Sequence, residues 1–328
     1  MHDQRVSAIV TPVHGKTRAA FQPLLDWCGD YMLPVGGRPI GVLFLEWFAG
    51  HGVRRVRFVL PPGARRNVQT QRYFGNGERW GVELSYIAWE KLEKNPEPND
   101  LPEDGEDVIL ASLFTPVRMN LRAFRFAARG SKAHVVLSSG RHRHWSDIPT
   151  PVILPGASRG WLLNCLLAST LYDGHDWMAS HPANTRELFI DSIAGAHLRG
   201  IHDYLNWQLE LLRDPGGFPV YDQEQSPGVY LNTRATIEAG ASLNICRVGS
   251  TSRICGGALV RDSIVGDNCL IERNARVENS IILDDSWIGP GVWIDQMIVR
   301  GEELFSLKYE TLVRPGKDWI ANCPGGAS

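Results

Sequence analysis

Gly15, Lys16 and Arg18 stand in TPVHGKTR (Thr11 to Arg18), directly behind the apolar run Val6 to Val10. Cations at the end of a strand are placed to hold phosphate oxygens, and a residual nucleotide or sugar-phosphate site is one reading of them. Surface residues of a remodelled loop are the other. Pro12 has no N–H, and the side chains of Pro12 and Val13 bar the close approach that glycines permit. Asp30 is a lone acid in a loop, open to a catalytic role or to capping and solvation. Arg141-His142-Arg143-His144 could bind an anion or sense pH, or form a solvated turn. His14 and His51 lie near the expected cleft, with no Ser or Cys beside them in a nucleophile's context. Six cysteines, at 28, 165, 246, 255, 269 and 323, show no CxxC or Cys/His spacing. Neither zinc nor a disulfide framework is expected, and no metal or cofactor follows from these residues.

The elements that must position these groups alternate. Val6 to Val10, Val53 to Leu60, Val82 to Ala88, Asp107 to Leu110 and Ala133 to Leu137 predict strands. Arg38 to Gly52, Asn67 to Phe74 and Leu121 to Ala128 predict the helices between them, and Ile201 to Leu212 an amphipathic one. This alternation points to a mostly parallel sheet covered by helices. The acidic, proline-containing run Glu90 to Glu106 predicts a solvated loop, and Gly216 to Pro227 a hinge. Gly36-Gly37 belongs to a structural turn. The chain of 328 residues is long enough for two domains, and its formal net charge of -2 leaves no footprint for nucleic acid. No polybasic segment suggests a membrane surface, and MHDQRVSAIV does not read as a signal peptide, so a cytoplasmic protein is expected.

Beyond the hinge a repeat takes over. Thirteen aliphatic residues from Leu231 to Val299 recur at steps of six, six and five, so Val248, Val265, Ile282 and Val299 fall 17 apart. No helix or flat strand has this period, whereas a three-sided parallel β-solenoid does, over about 229–301. Two places before these positions stand Ala235, Ala241, Cys246, Ser252, Ala258, Ser263, Cys269, Ala275, Ser280 and Ser286, small side chains suited to tight inward corners. Val292 and Met297 break the rule, as an atypical closing coil would.

MLPVGGRPI (Met32 to Ile40) and RYFGNGERWGVELSYI (Arg72 to Ile87) resemble the sugar-nucleotide pyrophosphorylases, nucleotidyltransferases that join a sugar 1-phosphate to an NTP and release pyrophosphate. DSIVGDNCLIERNARVENSIILDDSWIGPGVWIDQMIVRG (Asp262 to Gly301) resembles their C-terminal left-handed β-helix, most closely in the GDP-mannose and ADP-glucose branches. HDYLNWQLELL (His202 to Leu212) is similar to their linking helix. The resemblance implies a Rossmann-like nucleotidyltransferase domain over 1–220 and a left-handed parallel β-helix with a tail over 221–328.

The chemistry departs from that pattern. Where the family has a GGxGTRL-like loop, this chain has TPVHGKTR, and the catalytic lysine of PKPMLPV falls on Asp30. Glu90 to Glu106 replaces the loop that holds base and sugar. The first metal aspartate falls on Ala111-Ser112-Leu113, and the second falls near His197 to Gly200, where none exists. A lysine at a VEKP-like strand end is not visible after Leu137. The resemblance with these losses implies an inactive, pyrophosphorylase-like regulatory or assembly subunit in sugar-nucleotide or exopolysaccharide metabolism. An active divergent enzyme would need Lys16 or Arg18 at the phosphates and Asp30 or Asp107 on Mg²⁺. A third reading is a sensor that binds a nucleotide or NDP-sugar without turnover. Hexapeptide acyltransferases also resemble the solenoid, but no histidine follows His202 to serve as their base or as an imidazole metal ligand.

The solenoid's outward positions carry Ile264, Ile281 and Ile298, flanked by Leu270 and Trp287, with Trp293 on a further side. An apolar stripe of this kind must be covered. Either the chain's own first domain covers it or a second chain does, as a homo-oligomer or in a hetero-oligomer with an active nucleotidyltransferase.

Overall fold

The computed structural model describes residues 5–12, 18–62, 66–94, 96–97, 99–129, 135–139, 152–159, 162–163, 166, 185–189 and 194–313. It divides into two compact units, Met1–Leu33 with Pro39–Gly200, and Pro34–Arg38 with Ile201–Ser328.

The first unit is a Rossmann-like α/β layer structure. Its sheet contains β1 (Val6–Thr11), β2 (Arg55–Leu60), β3 (Glu83–Ala88), β4 (Glu106–Ser112), β5 (Val135–Ser139), β6 (Val152–Ala157) and β7 (Thr185–Phe189). The order is β7-β5-β6-β4-β1-β2-β3, parallel except for β6, which runs against both neighbours. The helices are α1 (Leu24–Cys28), α2 (Ile40–Gly50), α3 (Asn67–Phe74), α4 (Trp89–Lys94) and α5 (Leu121–Arg129). Ala8, Ile9 and Val10 of β1 are all buried, which is why that strand reads as continuously apolar rather than alternating. Helix α2 buries nearly every side chain, Ile40 to Leu45 and Trp47-Phe48 among them. A Cβ on Gly41 would lie 2.6 Å from the Phe74 ring, so only glycine lets α2 seat there.

One expectation is corrected, and one strand lies outside those expected. The run after Ala88 does not begin as a loop, because Trp89 and Leu92, three apart, share one core with Leu101 and fold the segment into α4. Strand β6 is not evident from sequence, since Pro155 sits inside it. One extra residue between the positions facing Glu106 and Val108 forms a bulge that accommodates the proline.

The second unit fits a β-helix. Three parallel ladders of short strands each advance by 17 residues. Cys246–Val248 pairs with Ser263–Val265, Arg253-Ile254 with Leu270-Ile271, and Leu259–Arg261 with Arg276–Glu278. The aliphatic columns fill a single core. Three further sets recur at the same step with positive φ: Ile245, Asp262, Asn279 and Gln296; Thr251, Asn268 and Asp285; and Gly240, Gly257, Asn274 and Gly291. Asn, Asp and Gly predominate there because they tolerate the left-handed region.

The small inward residues do more than fit. Ser252 Oγ donates to the Gly266 carbonyl and accepts the Cys269 N–H at 2.8 Å. Ser263 and Ser280 likewise accept the amides of Ser280 and Met297, each 17 residues on. At the far end Met297–Arg300, Glu303–Ser306 and Thr311–Val313 form an antiparallel meander whose Leu304 enters the core.

Helix α6 (Ile201–Arg213), expected within the first domain, falls in the second unit instead. It packs on Ser242–Val248 and Leu259–Val265, and Arg213 pairs with Asp262 at 2.7 Å. Part of the expected hinge is also ordered structure, since Gln223–Ser226 forms a hairpin with Val229–Leu231.

Candidate functional site

The chain runs from β1 outward to β2 and β3, then returns to the other side of β1 as β4. In open α/β sheets the crevice outside the carboxyl ends at such a switch point is the usual ligand site. Here it is bounded by Thr11 of β1 and Ser112 of β4, which remain paired to the last residue. The Leu113 N–H donates to the Thr11 carbonyl at 2.9 Å.

Ala194-Gly195 pairs antiparallel with Val117-Arg118, and the Leu198 N–H donates to the Phe114 carbonyl at 2.9 Å. This brings together the two stretches that the resemblance aligns with the metal aspartates. Their buried residues are Ala111, Leu113 and Leu198, with Phe114 buried beside them, and the Phe21 ring meets the Phe114 ring edge-on at 4.5 Å. These side chains do not fit an Mg²⁺ ion, which requires oxygen ligands. Among the described residues no three His, Cys, Asp or Glu gather as a metal site would require.

Asp30 lies at the same carboxyl-end edge. Its neighbour Tyr31 directs its hydroxyl at the Val10 and Val59 carbonyls near the ends of β1 and β2, at 2.7 and 2.8 Å. Asp30 is only 3% exposed, and Arg18 Nη1 donates to its Oδ2 at 2.5 Å. Burial raises the Asp30 pKa above the usual carboxylate value, and the charge and hydrogen bond of Arg18 oppose that rise. The structure therefore joins two of the four expected phosphate-site residues, but as a pair satisfying each other. Gly15 and Lys16 lie outside the described residues, as do His14 and the run Arg141 to His144.

Asp107 and His51 are elsewhere. Asp107 is buried at the start of β4, five residues and about 17 Å from Ser112, at the amino-end edge of the sheet. It is too distant to share a metal at the carboxyl ends. His51 sits in the turn before β2 on that amino-end edge, not by the expected cleft, and its Nδ1–H donates to the Trp47 carbonyl at 2.8 Å. Five arginines surround it there: Arg5, Arg54, Arg55, Arg122 and Arg125. Sequence reading singled out none of them, although the Arg54-Arg55 doublet before a strand and the Arg122/Arg125 spacing on a helix are visible signals.

On the solenoid, Ile264, Ile281 and Ile298 stack in register and are buried within the single chain, so a second chain is not needed to cover them. Leu270 and Trp287 pair in register and are half-buried. Trp293 is 60% exposed, its indole N–H held by Glu278 at 3.0 Å.

A model of GlmU-like C-terminal hexapeptide domains matches residues 227–303. The fold and this match define a hexapeptide-repeat domain joined to a Rossmann-like α/β unit, and they are consistent with a nucleotidyltransferase-like family. No curated protein matches the chain. No helix among the described residues is long and apolar enough to cross a membrane.

Proposed function

We propose that this chain is a pyrophosphorylase-like protein that does not perform nucleotidyl transfer and serves as a regulatory or assembly subunit in sugar-nucleotide or exopolysaccharide metabolism. The observation that carries this reading is the Leu198–Phe114 junction. Both stretches aligned with the metal aspartates meet there, and their buried residues, Ala111, Leu113 and Leu198, are all apolar, as is the adjacent Phe114. Transfer of a nucleotidyl group needs cations and oxygen-held metal at the developing charge. The same edge instead spends its cation Arg18 on Asp30, where the resemblance calls for a lysine.

The left-handed sense of the coil belongs to this proposal and is supported by the hexapeptide match and the 17-residue register. A partner, whether a second copy or an active nucleotidyltransferase, is part of it too, and Trp293 and Tyr309 are exposed aromatics of the second unit available for contact.

The test is turnover. Purified protein is incubated with a panel of NTPs and sugar 1-phosphates plus Mg²⁺, and pyrophosphate release is followed. No release is expected, and release with any pair would sink the proposal. Light scattering on the full chain and on Trp293→Ser reports separately on assembly.

A further inference from the structure

One outer face of the solenoid carries two columns of side chains. Leu259, Arg276 and Trp293 stack in register on successive coils, and Arg261, Glu278 and Asp295 stack two residues further along the same strands. The residues between them, Val260, Val277 and Ile294, fill the core, so by strand alternation both columns face outward. We infer that this strip binds a linear glycan of neutral pyranose units, with one sugar ring laid on the Trp293 indole.

The indole is exposed and yet fixed. Trp293 is 60% exposed, and its Nε1–H donates to Glu278 Oε2 at 3.0 Å. Glu278 is itself buried, and its other oxygen pairs with Arg261. With its one donor used, the ring offers only its apolar surface. Its rotamer is set before any ligand arrives, which lowers the ordering cost of binding. Asp295 accepts the Asn279 side-chain N–H at 2.9 Å, so the acid on the same strand is oriented too.

Charge selects the ligand. Arg261 and Arg276 bring two cations and Glu278 and Asp295 two anions, so the strip is formally neutral. A Trp face alone attracts a cation, but here a cation would meet two guanidiniums. An anion would meet two carboxylates. A neutral ligand meets neither penalty. Guanidinium donors and carboxylate acceptors together suit hydroxyls, each of which donates and accepts. A pyranose combines a C–H face that can cover the indole with a rim of hydroxyls.

Distance calls for linked units. Leu259, half-buried, is the other apolar side chain of the strip and lies two coils from Trp293, about 10 Å at the spacing of paired strands. One sugar ring cannot reach both. The strip itself spans about 10 Å by 7 Å, or about 70 Å². A stable protein interface covers about 800 Å² per partner, so the strip alone does not make one. The inference concerns one face of the second unit and stands whether or not the proposed lack of turnover holds.

The experiment follows the indole N–H signals of the isotope-labelled full chain by NMR during titration with cellohexaose and, separately, maltohexaose. The signal missing from Trp293→Phe belongs to Trp293. It is expected to shift saturably with at least one hexasaccharide, half-saturating below about 1 mM. Glucose should bind at least about tenfold more weakly, since it reaches only one part of the strip. Trp293→Ala, at an exposed position, should keep the parent's melting temperature and weaken binding about tenfold or more, whereas Trp293→Phe should keep part of it. Arg276→Ala should weaken it about threefold or more, and Arg234→Ala, exposed and outside the strip, should change nothing. No saturable shift with either hexasaccharide, binding indifferent to Trp293→Ala and Arg276→Ala, or tighter binding of hexagalacturonate would each overturn the assignment. Self-association lost in Trp293→Ala, with no glycan response in the parent, would give the indole to a protein partner and overturn it as well.

Discussion

Arg18 and Asp30 form a buried ion pair at the carboxyl ends of the central strands, with Arg18 Nη1 2.5 Å from Asp30 Oδ2. Asp30 is nearly inaccessible, while Arg18 keeps about a fifth of its side chain in solvent. The pair suits an acid rather than a base at position 30. A second cation beside Arg18 would be repelled, and a carboxylate is held.

Removing one partner of such a pair leaves a buried charge alone. Arg18→Ala is expected to destabilise the protein by about 3 to 5 kcal/mol at neutral pH. Asp30→Asn should cost much less and should rescue Arg18→Ala in a double-mutant cycle. The pH dependence follows from the raised Asp30 pKa. In the window from about 3.8 up to the raised value the folded state holds the proton more tightly than the unfolded one, so stability falls as pH rises through it. Arg18→Ala, which raises that pKa further, should lose stability more steeply, and the two curves should converge at lower pH where Asp30 is neutral in both. Denaturant unfolding from pH 3 to 8 checks this, and a constant gap would contradict it.

The inward serines make a second test. Ser263 Oγ donates to the Arg261 carbonyl at 2.7 Å and accepts the Ser280 N–H at 3.1 Å. Ser263→Ala keeps the size but orphans the Ser280 N–H, while the Arg261 carbonyl still accepts the Asn279 N–H, at a cost of about 1 to 3 kcal/mol. Ser263→Leu adds overpacking and should cost more. Thermal denaturation ranks them, and an alanine variant as stable as the parent would return these residues to a role of size alone.

That distinction marks how much the sequence discloses. The 17-residue period is legible because every coil must place an aliphatic side chain against the same column, as Val248, Val265, Ile282 and Val299 do. The smallness of Ser263 is legible too, but not its hydroxyl bonds, which depend on a neighbour one coil away. That Ala111-Ser112-Leu113 and His197 to Gly200 carry no carboxylate can be read residue by residue, yet that Leu198 meets Phe114 cannot, because some eighty residues intervene. The arginines gathered with His51 come from three segments, each ordinary alone. Helix α4 was hidden because Trp89 and Leu92 are its only buried anchors.

Cys246 and Cys269 lie inside the coil, and burial pushes both thiols up to about 12. Thiolate is the reactive form, so neither should label in the native protein at pH 8, while both should label in denaturant. The folded pKa exceeds the ordinary value of 9.0, so the folded state retains these protons longer. Stability should therefore decline as pH rises from about 9 toward 12. Mass spectrometry of iodoacetamide adducts locates the labelled residues, and native labelling of Cys269 at pH 8 would count against the packed coil.

Gly37 tests a close approach within the second unit. Its φ is +96°, and a Cβ there would lie 2.8 Å from Asp222 Oδ2 and 3.1 Å from Arg247 Nε. Those two side chains form a buried ion pair at 2.6 Å, with Asn232 also donating to Asp222 at 2.8 Å. Gly217 has a similar φ of +89°, with nothing within 4 Å of an added Cβ. Alanine at Gly217 should cost only the backbone term, about 1 to 2 kcal/mol. Alanine at Gly37 bears the same term and must also displace the ion pair, so its loss should be larger by about 1 kcal/mol or more. Removing the pair with Asp222→Asn and Arg247→Met should narrow that difference, because the carboxylate and guanidinium would no longer be locked against the turn. Equal losses at the two glycines in chemical denaturation would mean that the pair yields freely, and that the turn requires glycine for its backbone alone.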